Sequence, residues 1–302
     1  MTGIGQATLP SIPLHLLNPH ENLLVTPLSL AIVHAVSEPS GAVNEDRWGA
    51  LGSAVWVLDG ATGLVAERVL PGPSDALWLM ERVDAGLKQR ARSADGLASA
   101  LRPILAKARA EFARVALRPD AEAADMPCGS LAMLRVKDGV AELSSLGDCR
   151  IVDGDGRPFG TSGVTALDER LVTEVVALQK QGVPHRDIWR RLLSMTRRHR
   201  ALMNRPDGYW TTDLSATGLD HIEVEHVPAR AGDYFLLMSD GFYRLVDTYR
   251  CHTYATLMEA ARRGLAPLLR ELREIEAEDP ECRTYPRLKP RDDATAVLVR
   301  VL

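Results

Sequence analysis

Cysteine is scarce in this sequence. Only four cysteines occur among 302 residues, and no two of them form a Cys-x-x-Cys pair. A disulfide-rich secreted scaffold has a much higher cysteine density in a shorter chain, so that class is excluded. We expect a protein of the reducing cytoplasm.

An excess of basic residues is also missing. The 36 lysines and arginines face 40 aspartates and glutamates, which gives a formal net charge of −4. General nucleic-acid binders and polybasic membrane binders carry the opposite balance. We therefore expect neither a nucleic acid nor a membrane as partner.

No apolar run is long enough to cross a bilayer as a helix. The most apolar early stretch, from Leu23 to Val36, is interrupted by Thr26, Pro27, Ser29 and His34, and a spanning helix needs about 20 apolar residues. No lysine or arginine precedes this stretch to form the basic start of a signal peptide. A soluble, intracellular protein is the expectation.

Hydrophobic periodicity predicts a mixture of strands and helices. Strands are predicted in parts of 23–36 and at 53–58, 131–136, 140–146, 150–152, 222–227, 234–238 and 294–302. Helices are predicted at about 75–87, 97–115, 168–181, 185–203, 254–263 and 265–275. Strand runs at both ends and in the middle, with helical pairs between them, predict one α+β domain whose sheets draw strands from distant sequence. We assign 1–20 to an irregular N-terminal extension and 21–302 to this single domain.

Three local signals refine these elements. Ser74 or Asp75 can cap the start of the first helix. Asp138-Gly139 lies between two apolar runs and is typical of a tight hairpin turn. Pro103 predicts that the second helix begins near Arg102 or is kinked there.

Acidic residues are concentrated at the ends of predicted strands. Asp59-Gly60 and Asp240-Gly241 each follow an almost wholly apolar run, whereas Asn44-Glu45-Asp46 and Asp292-Asp293 each precede a strand. Taken singly, each is a solvated strand end or a turn. If the fold brings them together, like-charge repulsion raises their pKa values unless a cation is bound. Such oxygen-rich sets suit Mg²⁺ or Mn²⁺ better than zinc.

The order of these elements resembles that of the metal-dependent protein phosphatases, the type 2C serine/threonine phosphatase family. Six segments carry the resemblance: Asn44-Glu45-Asp46, Leu58-Asp59-Gly60-Ala61-Thr62-Gly63, Cys128-Gly129-Ser130, Leu146-Gly147-Asp148-Cys149-Arg150, Ser239-Asp240-Gly241-Phe242 and Asp292-Asp293-Ala294-Thr295. The resemblance runs from about residue 40 to the end of the sequence. It implies a four-layer α-β-β-α fold with a central antiparallel β-sandwich.

The resemblance also implies a site for two ions of Mg²⁺ or Mn²⁺. Asp59 is similar to the carboxylate that bridges the two ions, and Gly60 to the residue that offers its backbone carbonyl. Asp240 and Asp292 match the remaining carboxylate ligands. Two such ions activate a water for in-line attack on phosphorus, so Asp59 and Asp240 are the expected catalytic carboxylates. No covalent phosphoenzyme is required.

Other acids match less direct positions of the family. Glu45 and Asp46 match acids that hold metal-bound water or act from behind the ligands. Asp125 precedes Cys128-Gly129-Ser130, near where some relatives hold a third ion, and is the candidate ligand for one. Asp148 is interpreted as part of a structural turn. Cys149 is interpreted as a packing residue because no Gly-rich loop of backbone donors follows it.

Two features depart from the family pattern. Many members have a histidine directly after the first Asp-Gly, where it protonates the leaving group, but this sequence has Ala61. General acid catalysis contributes about 10²- to 10⁴-fold in rate, so a slow enzyme, or one that uses water as the acid, is expected. The arginine that often precedes the Glu-Asp pair is also missing. Arg197, Arg198 or Arg200 could replace it as a phosphate anchor, or form a solvated helix face.

Three functions stay open at this point. The first is metal-dependent hydrolysis of phosphoserine or phosphothreonine in a phosphorylated protein substrate. The second is a phosphatase-fold regulatory or binding protein with weak or no catalysis, which Ala61 and the missing arginine favour. The third is a phosphatase for a small metabolite. The presence of Asp59, Asp240 and Asp292 together favours metal binding over a fold without a site.

Overall fold

A computed structural model describes residues 28–61, 63–64, 67–91, 95–160 and 165–302. The predicted N-terminal extension and the first part of the stretch 23–36 lie outside these residues. The strands are β1 Leu30–Glu38, β2 Arg47–Leu51, β3 Ala54–Gly60, β4 Cys128–Lys137, β5 Val140–Leu146, β6 Arg150–Asp153, β7 Pro158–Phe159, β8 Thr212–Asp213, β9 Glu223–Pro228, β10 Tyr234–Met238 and β11 Ala294–Val301. The α-helices are α1 Asp75–Arg90, α2 Leu97–Val115, α3 Thr165–Lys180, α4 His185–Arg200, α5 Asp240–Asp247, α6 Tyr254–Arg263 and α7 Leu265–Glu278.

The strands form two antiparallel sheets. One sheet has the order β1-β11-β10-β6-β7, and the other has the order β2-β3-β4-β5-β9 with β8 paired to β4. Strands far apart in sequence are therefore neighbours, as the alternation of strand and helix runs predicted. Within the described residues, no helix is long and apolar enough to span a membrane.

Alternating side chains of β3 show how the layers stack. Trp56 and Leu58 pack in one core with residues of α1 and α2, whereas Val55 and Val57 pack in a second core with Phe235 of β10 and other residues of the opposite sheet. Successive side chains of a strand point to opposite faces, so β3 separates the two cores. A third core lies between helices α5 to α7 and the sheet that contains β10 and β11. The predicted α-β-β-α sandwich is confirmed.

Most predicted elements are present, with shifted ends. Asp138 and Gly139 both have positive φ, 51° and 77°, as the predicted hairpin turn between β4 and β5 requires. Ser74 caps α1 by accepting a hydrogen bond from the backbone N–H of Leu77. Of the two alternatives at Pro103, a helix that begins near Arg102 is wrong, because α2 begins at Leu97 and contains Pro103; a kink at Pro103 stays a prediction.

Gly49 of β2 is packed more tightly than any larger residue allows. A Cβ atom at this position would lie 2.6 Å from the ring of Trp56 and 2.8 Å from Oδ1 of Asp84. The Trp56 ring is fully buried, and its Nε1 donates a hydrogen bond to the same Asp84 oxygen at 3.0 Å. The ring therefore has no free direction in which to move.

Replacing Gly49 by alanine is expected to destabilise the protein. Overpacking of a buried site costs about 1 to 3 kcal/mol, and displacement of the ring also strains its hydrogen bond to Asp84. The free energy of unfolding, measured by urea denaturation, checks this. Gly41→Ala is the matched control, because nothing lies within 4 Å of the added Cβ there. Equal losses in the two variants would contradict the prediction.

Candidate active site

The two sheets bring Asp59 and Asp240 together at one edge. Asp59 is the penultimate residue of β3, and Asp240 begins α5 directly after Ser239, which follows β10. The backbone N–H of Asp240 donates a hydrogen bond to Oδ2 of Asp59 at 3.3 Å. Residues 181 positions apart in sequence are thus in direct contact.

Burial and mutual repulsion act on both carboxylates. Burial, followed by the charges of Asp46 and Asp240, raises the pKa of Asp59 well above its usual range. Burial, followed by the charges of Asp292 and Asp148, raises the pKa of Asp240 to about 6. Such shifts mark carboxylates without sufficient positive charge nearby.

Asp46 is held behind these residues. Its carboxylate is almost fully buried and accepts a hydrogen bond from the Ser239 hydroxyl at 2.7 Å. The same hydroxyl accepts a hydrogen bond from the backbone N–H of Thr295 in β11 at 3.0 Å. Burial raises the pKa of Asp46 despite the hydrogen bonds from Ser239 and Thr295. Asp46 therefore fixes the residue that immediately precedes Asp240.

Glu45 is fixed by both its backbone and its side chain. Its backbone N–H donates to Oδ2 of Asp293 at 2.6 Å, and its carboxylate accepts a hydrogen bond from the hydroxyl of Ser74, the cap of α1. The backbone of Gly60 passes close by. A Cβ on Gly60 would lie 2.8 Å from the carbonyl oxygen of Glu45, so only glycine allows this approach.

Asp292 is at the same site but in a different electrostatic state. Its Oδ2 accepts a hydrogen bond from Arg244 Nη2 at 2.6 Å, and its Oδ1 accepts one from Lys289 Nζ at 3.1 Å. Burial opposes ionisation, but the charges of Lys289 and Arg244 outweigh it and lower the pKa of Asp292. The pairing with Arg244 could not be predicted from local sequence, since Arg244 is 48 residues away from Asp292.

Asp148 lies in the connection between β5 and β6, as its interpretation as a turn residue predicted, and its charge also acts on the cluster. Its carboxylate accepts a hydrogen bond from the Ser130 side chain, and burial raises its pKa. The charge of Asp148 acts on Asp59, on Asp240 and on Asp168 of α3. The signal available in the sequence was Leu146-Gly147-Asp148, an apolar strand end followed by an acid, as at Asp59.

Asp125 is placed among arginines. Its Oδ1 lies 2.5 Å from Arg197 Nη1, and its Oδ2 lies 3.6 Å from Arg118 Nη2. Two guanidinium groups would compete with a cation at this carboxylate. Its role as a ligand of a third ion stays a prediction.

Of the three arginines considered as phosphate anchors, Arg200 contacts Cys128, the first residue of β4. Its Nη1 lies 3.3 Å from Sγ of Cys128, and the carbonyl of Cys128 accepts a hydrogen bond from the backbone N–H of Ala61 at 3.0 Å. Arg197 is instead paired with Asp125 and with Glu122. The guanidinium of Arg200 therefore lies beside the strand end where the family has its histidine.

The donor set fits a hard divalent cation. Asp59, Asp240 and Asp292, with the Gly60 carbonyl, offer only oxygen atoms, which Mg²⁺ and Mn²⁺ prefer. Burial and neighbouring carboxylates raise the pKa values of Asp59 and Asp240, and a nearby cation would lower them. Within the described residues, no three His, Cys, Asp or Glu side chains already converge closely enough to form a metal-binding group. Cys149 is fully buried and its pKa is raised well above the usual range, first by burial, which suits a packing residue.

The raised pKa of Asp240 predicts how the metal-free protein responds to pH. An aspartate in the unfolded chain titrates at about pH 3.9. The folded protein therefore holds the proton of Asp240 more tightly than the unfolded chain does. The contribution of protonated Asp240 to the free energy of unfolding is fully present below about pH 4. It is lost as the pH rises through about 6. We expect the Tm of wild type in chelator to fall more between about pH 4.5 and pH 7 than that of Asp240→Asn, as measured by circular dichroism.

The control for this comparison is Asp187→Asn, a change at a half-exposed aspartate of α4. It should keep the pH dependence of wild type. If Asp240→Asn shows the same slope as wild type, Asp240 does not titrate in the predicted range.

Comparison with known proteins agrees with this geometry. The family model described as "Protein phosphatase 2C" matches residues 37–279. The solved catalytic domain of the serine/threonine phosphatase PstP in complex with two manganese ions is similar, with 21% sequence identity, a TM-score of 0.52, and coverage of 91% of this chain and 99% of that chain. The Mycobacterium tuberculosis phosphatase PstP/Ppp is similar too, with 21% identity, a TM-score of 0.51, and coverage of 91% and 98%.

At this identity, the solved structures show a shared fold. No match was found among curated proteins. The family model, however, extends over most of the chain, from the end of β1 to just beyond α7. On this evidence, the chain belongs to the protein phosphatase 2C family.

Proposed function

We propose that this protein hydrolyses phosphoserine and phosphothreonine in proteins with the help of Mg²⁺ or Mn²⁺. Membership of the protein phosphatase 2C family supports protein phosphatase function in general. The observation that carries the finer proposal is the contact between Asp59 and Asp240, two carboxylates with raised pKa values delivered by different sheets. The crystal structure of PstP with two manganese ions supports the choice of metal.

Asp59, Gly60, Asp240 and Asp292 would hold the ions. When bound, two divalent ions supply Lewis acidity, which activates water and neutralises charge on the phosphoryl group. Because Asp46 fixes Ser239, and Ser239 leads directly into Asp240, Asp46 is assigned a positioning role.

Glu45 is assigned a role in orienting water at the edge of the site. Its carboxylate is anchored to the start of α1 through Ser74.

Arg200 is assigned to the substrate phosphate. A guanidinium group forms two parallel hydrogen bonds to phosphate, and the position of Arg200 beside Cys128 and Ala61 places it at the strand end that carries Asp59. Arg200 also lies within electrostatic reach of Glu45. It would replace the arginine that the family often has before the Glu-Asp pair. With Ala61 in place of histidine, proton delivery to the leaving group falls to water.

A regulatory protein with weak or no catalysis is the second candidate. The observation that favours it is Ala61, which removes the usual proton donor. The cluster of Asp59, Asp240 and Asp148 favours the enzyme instead, because a binding module gains nothing from crowded carboxylates whose repulsion costs stability. A phosphatase for a small metabolite is the third candidate, and comparison of a phosphopeptide with small phosphate esters separates it from the first.

Replacement of Asp240 by asparagine is expected to abolish turnover. We expect the wild type to hydrolyse p-nitrophenyl phosphate and a phosphothreonine peptide with Mn²⁺, and to lose this activity in chelator. In Asp240→Asn, kcat/KM should fall by at least about 100-fold, because loss of a metal ligand weakens the Lewis acid. Steady-state kinetics check this. Asp187→Asn is the matched control and should keep wild-type activity.

The outcomes separate the candidates. Mn²⁺ binding without turnover of either substrate would contradict the enzyme and leave the regulatory protein. Turnover of small esters, with no preference for the phosphopeptide, would favour the metabolite phosphatase.

Replacement of Arg200 by methionine is expected to weaken substrate binding. Loss of charge-assisted hydrogen bonds to phosphate is expected to raise KM for the phosphothreonine peptide by about tenfold. Affinity for Mn²⁺, measured by calorimetry, should not fall. Arg198→Met, on the exposed side of α4, is the control. A KM unchanged in Arg200→Met would remove the residue from the phosphate site.

A further inference from the structure

We propose that Arg244 and Lys289 act as internal counter-cations for Asp292, so that a divalent ion binds there only against their positive charge and by displacing Lys289. The inference rests on the proposed function, in which Asp292 is a metal ligand. It assigns to this chain two metal positions of unequal affinity, the weaker one being the position that depends on Asp292.

Both oxygens of the Asp292 carboxylate are already used by positive charges. Arg244 Nη2 lies 2.6 Å from Oδ2, and Lys289 Nζ lies 3.1 Å from Oδ1. Each contact is a charge-assisted hydrogen bond, the stronger class of hydrogen bond in proteins. A cation that coordinates either oxygen therefore meets a group that is already bound.

The sequence spacing directs Arg244 to this place. Arg244 follows Asp240 by four residues in α5, and residues four apart lie on the same face of a helix. The helix thus presents a carboxylate and a guanidinium side by side, and both Asp240 and Asp292 experience the Arg244 charge. Lys289 reaches Asp292 from three residues away in the segment before β11.

Arg244 is also held from behind, by the buried carboxylate of Glu276 in α7. Its Nη1 lies 3.8 Å from Glu276 Oε1, and the side chain of Arg244 is only 12% exposed. Glu276 also pairs with Arg273 at 2.7 Å and with Arg291 at 3.5 Å. Arg244 is therefore fixed on the cluster, whereas Lys289, 34% exposed, is the group that can turn out to solvent.

The charges decide the direction of the effect. A divalent ion at Asp292 stands a few ångströms from two positive groups, and repulsion at such distances is strong wherever water is partly excluded. Asp59, in contrast, has acidic neighbours as its nearest charges. A metal position that does not involve Asp292 would therefore be favoured by its acidic neighbours, whereas the position that depends on Asp292 would be disfavoured by two positive charges.

Calorimetric titration of the metal-free protein with Mn²⁺ tests the proposal. We expect two phases in wild type, the weaker of which becomes about tenfold tighter in Lys289→Met, because one repelling charge and one competing hydrogen bond are removed. Arg244→Met should act in the same direction. Since Arg244 is buried, near-UV circular dichroism checks that this variant is folded, and Lys289→Met carries the test if it is not.

Two controls make the result specific. Arg291→Gln removes a positive charge from the same neighbourhood, but one that pairs with Glu276 rather than with Asp292; it should change the weaker phase by less than about threefold, as expected for a largely solvated charge. In an Asp292→Asn background, Lys289→Met should have no further effect on Mn²⁺ affinity, because the double-mutant cycle isolates the coupling between the two residues.

Unchanged or weaker Mn²⁺ binding in Lys289→Met would overturn the proposal and make the lysine a group that orients Asp292 for the metal. This outcome is distinct from failure of the proposed function. If the wild type binds Mn²⁺ but hydrolyses no phosphate ester, the proposed phosphatase function is wrong. The Mn²⁺ affinities of wild type and Lys289→Met would still decide the role of Lys289.

Discussion

Repulsion between carboxylates that the fold forces together is the constraint on which the site depends. β3 and β10 belong to different sheets, and the core between them is filled by apolar side chains such as Val57 and Phe235. Burial of that core, at about 25 cal/mol per Å² of apolar surface, fixes the strand ends, so Asp59 and Asp240 cannot move apart without separating the sheets. Three kinds of contact reduce this repulsion. They are the hydrogen bond that Asp46 accepts from Ser239, the cations that pair with Asp292, and the divalent ion that we propose.

Neutral hydrogen-bond donors and positively charged side chains reduce this repulsion in different ways. Neutral donors such as the Ser239 hydroxyl stabilise a negative charge locally but leave the net charge of the cluster unchanged. Arg244 and Lys289 change that net charge, and their direct contacts are with Asp292. Charge is therefore distributed unevenly in the site: the part around Asp59 is acidic, and the part around Asp292 is neutralised by Arg244 and Lys289.

Much of the fold could be predicted from local sequence, and the exceptions have physical causes. The strand Tyr234–Met238 and the helix Tyr254–Arg263 were predicted to the residue, because apolar periodicity decides such elements. β2 escaped prediction since its Gly49 is a poor strand former locally and is required by the ring of Trp56. α5 escaped since Asp240-Gly241 is typical of a turn. Of the site, the acids at strand ends were predicted, whereas Asp148 and the partners of Asp292 depend on contacts that only the assembled sheets create.

The position of β11 has a consequence for how the protein is made. β11 lies between β1 and β10 in its sheet, and Asp292 immediately precedes the Asp293 that leads into it. A ribosome releases this strand after all the others described, so a growing chain carries β1 and β10 with a gap between them. Closing that gap requires contacts of very long sequence separation, which form slowly. The carboxylates of the proposed site therefore cannot all come together until β11 has joined its sheet.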